Sequence, residues 1–81
     1  MASKYDRIAA DIRRKIKSRE QAPGTQLKAE TVLMEQYRVS LPTMRRALDL
    51  LEAEGLIEKR QGIGNFVRAR RQLVRRSADR Y

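Results

Sequence analysis

Apolar residues near the start of the chain recur at intervals of three and four positions, which is the spacing of one helix face. This stripe predicts a first helix of about four turns. Its members are Tyr5, Ile8, Ala9, Ile12 and Ile16. Ser3 is a suitable N-cap, and Asp6 supplies the negative charge that is favoured in a first turn. We expect the helix to end before Pro23 and Gly24, because proline cannot continue it and glycine favours a turn.

Two shorter amphipathic segments follow, with a tight turn at Arg38-Val39 between them. The first predicts a helix from about Glu30 to Tyr37. Its inward side chains are Val32 or Leu33, then Met34 and Tyr37. Ser40 is a good N-cap for a third helix, and Pro42 lies in its first turn, where a missing N–H costs nothing. The buried stripe of that helix is Met44, Ala47, Leu48 and Leu51, and Gly55 ends it.

Two strand-like segments, Leu56–Lys59 and Asn65–Arg68, predict a hairpin after the third helix. Residues Arg60 to Gly64 join them, with two glycines that can adopt positive φ. Gln26–Lys28 could add one isolated strand pair. The predicted fold is therefore mainly α with a small β-hairpin: a winged helix-turn-helix of three helices and a two- or three-stranded wing sheet.

Composition narrows the function. The 81 residues allow one domain, and 41% hydrophobic content is enough for its core. The chain has neither Cys nor His, so it lacks thiolate metal ligands and the commonest general base; we expect no enzyme activity, cofactor or metal. The net charge of +9 is concentrated at the two ends, which suits a polyanion such as nucleic acid, although a basic surface can also simply maintain solubility.

No apolar run approaches the roughly 18 residues that span a bilayer, and the N-terminus lacks the apolar segment of a signal peptide. We therefore expect a cytoplasmic protein that binds no membrane.

The start of the third helix is the first candidate contact surface. A short helix after a tight turn can project its N-terminal end into a DNA major groove about 12 Å wide. The outward residues there are Leu41, Pro42, Thr43, Arg45 and Arg46. Arginine can form two hydrogen bonds to a guanine edge or bind a phosphate. The alternative is that Arg45 and Arg46 pair with Asp49 on an ordinary solvated helix face.

The hairpin tip is the second candidate. Arg60 leads into Gln61, Gly62, Ile63 and Gly64, a narrow loop that can approach a DNA backbone or enter a minor groove. The alternative is a tight β-turn without a binding role. We expect Arg45 and this tip to face the same side of the molecule and to contact one duplex.

Beyond these local features, the chain resembles the N-terminal DNA-binding domain of the GntR family of bacterial transcription regulators over residues 5–68. The matching positions are Tyr5, Ile8-Ala9, Pro23-Gly24, Leu27, Glu30, Leu33, Tyr37, Val39-Ser40, Thr43-Met44-Arg45, Ala47-Leu48, Leu51, Glu54-Gly55-Leu56-Ile57, Gly62-Ile63-Gly64 and Phe66-Val67. The resemblance implies a winged helix that binds a palindromic operator as a dimer, usually to repress transcription.

The resemblance also implies residue roles. Ser40 and Thr43 would contact the DNA backbone, Arg45 a base or phosphate, and Gln61-Gly62 would act in the wing. The main-chain N–H groups around Ala29 and Glu30 would face a phosphate. The chain departs from the family at three places: Lys28-Ala29 replaces Pro-Ser or Pro-Ala, Thr31 replaces a common Arg, and Leu41 replaces an Arg that contacts DNA. Leu41 could contact only an apolar feature such as a thymine methyl, which predicts a different operator sequence.

Family members also carry a larger C-terminal domain that binds a small effector and drives dimerisation. We therefore expect residues 1–68 to be the DNA-binding domain and residues 69–81 to be a basic linker into such a domain. The full-length protein would be a homodimer, and an effector would act only through the absent domain. Two other classes remain: a winged helix that docks an acidic protein partner, and a binder of RNA or of a membrane surface through its Arg-rich ends. Membrane binding is disfavoured, because the apolar stripe of the first helix is needed for the core. Few stacking aromatics disfavour single-stranded RNA.

Overall fold

Three helices and one hairpin make up the part of the chain, residues 3–68, that the computed structural model describes. Helix α1 spans Lys4–Lys17, α2 Glu30–Tyr37 and α3 Leu41–Ala53; strand β1 spans Ile57–Arg60 and β2 Gly64–Val67. The predicted winged helix-turn-helix is confirmed. The predicted basic linker, residues 69–81, lies outside the described residues and stays a prediction. Among the helices of residues 3–68, none is long and apolar enough to cross a membrane.

Reciprocal hydrogen bonds begin α1. The Ser3 hydroxyl accepts from the Asp6 N–H at 3.3 Å, and the Ser3 N–H donates to the Asp6 carboxylate at 3.3 Å. Two backbone donors at the helix start, the N–H groups of Ser3 and Asp6, are thus satisfied by local sequence. The last turn carries Arg14, Lys15 and Lys17, whose charges complement the helix dipole.

The turn between α2 and α3 depends on one left-handed residue, Arg38, with φ 56° and ψ 51°. This conformation ends α2 and sets the direction of α3. Ser40 then caps α3 by accepting from the Thr43 N–H at 3.3 Å. Of the two alternatives for the inner face of α2, Leu33 is buried and Val32 is 43% exposed.

The two strands are antiparallel, with Ile57 opposite Val67 and Arg60 opposite Gly64. The first strand starts and ends one residue later than predicted, and the second is displaced one residue earlier. The sequence allowed an isolated strand pair at Gln26–Lys28 without predicting one, and the structure has a bridge between Gln26 and Phe66. Three backbone hydrogen bonds of 2.8 Å flank it: Gly24 N–H to Val67 O, Val67 N–H to Thr25 O and Leu27 N–H to Asn65 O. The segment before α2 is therefore attached along β2.

Helix α3 lies at the centre of the core, and its predicted stripe of four residues is buried. The core consists of Ile8, Ala9, Ile12, Leu27, Leu33, Met44, Ala47, Leu48, Leu51, Ile57 and Val67. These side chains come from all three helices and both strands, so the core fixes the rotation of α3 about its axis. The opposite face of α3 is left to solvent.

Polar contacts join α1 to the other helices. Arg13 forms two hydrogen bonds to Glu54, at 2.8 and 2.6 Å, just beyond α3. The Tyr37 hydroxyl donates to Asp11 at 2.7 Å, linking α2 to α1. This bond and the guanidinium of Arg14 lower the pKa of Asp11 below its ordinary value. Burial, followed by the bond to Asp11, raises the pKa of Tyr37.

Tyr37→Phe should lower the free energy of unfolding by about 0.5–1.5 kcal/mol near neutral pH, because one interhelical hydrogen bond is lost. The folded-state pKa of Asp11 is lowered, so its ionised form contributes stability above the ordinary pKa of 3.8, and this is lost as pH falls through the folded-state value. The difference between wild type and variant should therefore shrink in acid. Urea unfolding at neutral and acidic pH measures it.

A matched control is Tyr5→Phe, since within residues 3–68 the Tyr5 hydroxyl makes no side-chain hydrogen bond. A Tyr37→Phe effect that is the same at both pH values would contradict the link to Asp11.

Candidate nucleic-acid interface

The first turn of α3 presents its predicted contact residues at the surface. Ser40 and Pro42 are exposed, and Leu41 and Thr43 are half-buried. The Ser40 hydroxyl also donates to Thr43 Oγ1 at 3.0 Å, so the two hydroxyl groups are held together at the helix end. Leu41 is not among the side chains that pack on the core within residues 3–68.

Arg45 does not pair with Asp49, so the alternative of an ordinary helix-face ion pair is wrong for this residue. Its Nε donates to Glu30 Oε1 at 3.0 Å, across the gap between α3 and the start of α2. The Arg45 side chain remains 58% exposed. The carboxylate therefore holds one edge of the guanidinium while the rest of the group stays in solvent.

Arg46 has a different environment. Its guanidinium carbon lies 4.6 Å from the centre of the Tyr5 ring, which is on α1. The two neighbouring arginines thus diverge, with Arg45 directed to α2 and Arg46 to α1. Asp49 instead pairs with Lys59 of β1, and this contact raises the pKa of Lys59.

A concavity with a volume of about 680 Å³ lies between the start of α2 and the hairpin. Nine predicted site residues line it. On the α2 side they are Lys28, Ala29, Glu30 and Thr31, and on the hairpin side Arg60, Gln61, Gly62, Ile63 and Gly64. Because Arg45 contacts Glu30, its guanidinium adjoins the α2 wall of the same concavity. Arg45 itself does not line the concavity and reaches its α2 wall only through Glu30, whereas Arg46 contacts Tyr5 of α1.

Two cations of β1 are held in place by acidic side chains, and one of them also by an aromatic ring. Arg60 Nε donates to Glu58 at 2.8 Å, and its guanidinium carbon lies 4.4 Å from the centre of the Phe66 ring. The bond to Arg60 lowers the pKa of Glu58. Lys59 contacts Asp49 and lies 3.9 Å from Glu52. The hairpin is thereby linked to α3 as well as to the core.

The hairpin tip is fixed by a contact that sequence reasoning missed. Gln26 Nε2 donates to the carbonyl oxygen of Ile63 at 3.0 Å, and the Ile63 N–H donates to Arg60 O at 3.0 Å. A Cβ atom added at Gly64 would lie 2.7 Å from Gln26 Nε2, and Gly64 has a φ of 145°. The positive φ favours glycine here, and an added Cβ would also displace the flexible side-chain amide of Gln26.

Gly64→Ala is expected to destabilise the protein by about 1–3 kcal/mol, because it combines backbone strain with a clash against Gln26. Gly62→Ala is the matched control: its φ is 77°, but a Cβ there meets nothing within 4 Å, so only the backbone cost of about 1 kcal/mol applies. Adding Gln26→Ala to Gly64→Ala should recover the part of the stability loss that comes from the steric contact with Gln26. Thermal unfolding of the four proteins measures this, and equal costs at the two glycines would contradict it.

Comparison with known proteins agrees with this geometry. Residues 4–67 match the family described as bacterial regulatory proteins, gntR family. The chain belongs to the gntR family. The similarity to that family expected from sequence is confirmed, and residues 4–67 form a winged helix-turn-helix DNA-binding domain of the gntR type.

Two curated relatives are similar over most of this chain. One is the arabinose metabolism transcriptional repressor of Halalkalibacterium halodurans, 36% identical over 66 residues, which cover 82% of this chain and 18% of that protein. The other is the HTH-type transcriptional regulator GmuR of Bacillus subtilis, 37% identical over 65 residues, covering 80% and 27%. The chain thus spans about a quarter or less of the length of these relatives.

Among solved structures, the DNA-binding domain of AraR in complex with operator ORX1 has a TM-score of 0.80 and 34% identity to this chain. The match covers 83% of this chain and 81% of that one. The fold is therefore similar over most of both chains.

Proposed function

We propose that this domain binds operator DNA sequence-specifically and acts in transcriptional repression. The start of α3 would enter the major groove and the hairpin tip, or wing, the adjacent minor groove. The observation that carries the proposal is the shared concavity, with α2 and the neighbouring Arg45 on one side and the glycine-containing wing on the other. A phosphate backbone between two grooves would lie in such a concavity.

Arg45 is suited to contact a base. Glu30 accepts from Nε, so the terminal Nη groups stay available for two hydrogen bonds to guanine O6 and N7. The carboxylate also limits the directions that the side chain can take, which reduces the entropy lost on binding. We assign Arg45 as the main base contact of the major groove.

Phosphate contacts would surround it. The N-cap of α2 is Ala29, which makes no side-chain cap hydrogen bond, so the first N–H groups of α2 are left for an anion. Thr31, Ser40 and Thr43 offer hydroxyl groups nearby. The cationic side chains of Lys28, Arg46 and Arg60 would add electrostatic attraction that is independent of sequence.

Leu41 and Pro42 would make apolar contacts, such as with a thymine methyl, at the start of α3. Gln61 and Gly62 would approach the DNA from the wing. None of these residues is proposed to act as a catalytic group. The proposed binding of DNA uses no cofactor or metal.

Repression is proposed from the relatives, and dimerisation and effector control from what the family resemblance implies. The H. halodurans relative is named a repressor, and the AraR domain is solved with an operator. Both curated relatives are several times longer than the matched region. We infer that the full-length protein is a cytoplasmic homodimer on an inverted repeat, with a small effector bound outside this domain.

Selection of genomic fragments by the purified chain, followed by anisotropy titration, tests the function. Enrichment of an inverted repeat that binds at least tenfold more tightly than a scrambled duplex supports the proposal. Equal binding to both duplexes, with a steep salt dependence, would indicate a non-specific nucleic-acid binder instead. Absence of binding to either would favour a protein-interaction module.

A further inference from the structure

Ile63 is the most exposed large hydrophobic residue within residues 3–68, at 63%. It occupies the tip of the wing between Gly62 and Gly64, and it is not among the side chains packed on the core. A single exposed apolar side chain needs no explanation by itself. Its backbone, however, is held in place by hydrogen bonds within the protein.

Both main-chain polar groups of Ile63 are engaged inside the protein. Its N–H donates to Arg60 O, and its carbonyl accepts from Gln26 Nε2, each at 3.0 Å. The N–H is therefore not available to DNA, and the carbonyl oxygen already accepts one hydrogen bond inside the protein. What the tip presents outward at this position is the sec-butyl side chain, on a fixed backbone.

The attachment of the tip extends back to α2. Gln26 also bridges β2 through Phe66, and the chain passes directly from there to the start of α2 at Glu30. The position of Ile63 relative to α2 is thus set by a short hydrogen-bonded segment. Among residues 3–68, those that line the concavity belong to this segment, the start of α2 and the hairpin.

We propose that Ile63 is a specificity-determining residue that disfavours G·C pairs beneath the wing. This inference rests on the proposed function, since it requires the wing to enter the minor groove. There the guanine N2 amino group is the one feature that distinguishes G·C from A·T. An isoleucine side chain cannot accept a hydrogen bond, so it would strip water from that donor and leave it unsatisfied. A·T pairs present no donor at this place.

Base analogues isolate the amino group. Diaminopurine·T has the major-groove edge of A·T with the amino group added, and inosine·C has that of G·C with the amino group removed. Each pair of the selected half-site is replaced in turn, and the affinity of the full chain is measured by anisotropy. At positions under the wing, we expect diaminopurine·T to bind about tenfold more weakly than A·T. We expect inosine·C to bind more tightly than G·C and to recover this loss of affinity.

Variants connect this effect to one side chain. In Ile63→Ala the amino-group penalty should fall to about twofold, because water can reach the donor. In Ile63→Asn it should vanish or reverse, because the side-chain amide oxygen can accept. Val32→Ala is the matched control, since Val32 is also exposed, at 43%, but lies on α2 and does not line the concavity; its penalty should equal that of wild type.

An amino-group penalty that is absent in the wild type, or equal in wild type and both Ile63 variants, would overturn the role of Ile63. The proposed function fails by a different result: no preference for the selected operator over the scrambled duplex. In that case the inference about Ile63 is overturned with it.

Discussion

Arg45→Ala should weaken operator binding by about 1–3 kcal/mol and relax the preference at one base pair. Two physical effects add. The fork of hydrogen bonds to the base is lost, and the Glu30 carboxylate is left without its partner. Titration of the operator and of its single-base variants, each at several salt concentrations, measures affinity and preference together.

Salt dependence separates a base contact from a phosphate contact. If Arg45 binds a base, its loss should flatten the preference at that pair and leave the salt slope nearly unchanged; loss of a phosphate contact would reduce the slope by about 1. Arg45→Lys keeps the charge but cannot form the planar fork, so it should retain binding to random DNA and lose the preference.

The matched control is Arg14→Ala on α1. Its side chain is 61% exposed and ion-paired, much like that of Arg45 at 58%. Removing it changes the net charge equally, so only a small, sequence-independent loss is expected. Equal effects of Arg14→Ala and Arg45→Ala on operator preference would contradict the assignment of Arg45.

Local chemistry explains why most of the fold could be predicted from sequence. The caps at Ser3 and Ser40, the proline in the first turn of α3 and the glycine that ends it each act within a few residues. The four-residue stripe of α3 follows the helix period, and all of it is buried. In α2, adjacent Val32 and Leu33 were both suitable for the inner face, and only packing selected Leu33.

The site was harder to predict because its contacts are between distant residues. Arg45 pairs with Glu30, 15 positions away, and Gln26 binds Ile63, 37 positions away. No periodicity connects such pairs. The local alternative, Arg45 with Asp49 four residues on, looked equally good in sequence, but Asp49 pairs with Lys59 of the hairpin instead. Sequence identified the walls of the concavity, while the side-chain contacts across it needed the fold.

The inner face of α3 forms part of the core, and its outer face carries Arg45, the proposed base contact. Burial of Met44, Ala47, Leu48 and Leu51 fixes the rotation of the helix. Shortening a buried side chain on the inner face should therefore lower the fraction of the protein that is folded. It should leave the affinity of each folded molecule nearly unchanged.

Leu48→Ala is expected to lower the free energy of unfolding by about 2–5 kcal/mol, since Leu48 is 0% exposed and its loss leaves a cavity. A domain of this size has a total stability of only about 5 kcal/mol, so much of the variant should be unfolded at 37 °C. Thermal unfolding measures the loss, with exposed Val32→Ala as the control, expected within about 0.5 kcal/mol of wild type. Excess operator DNA should raise the melting temperature of Leu48→Ala, because it binds only the folded form. A variant that melts like wild type, or that stays fully folded but loses operator preference, would contradict this division of α3 into a stabilising face and a binding face.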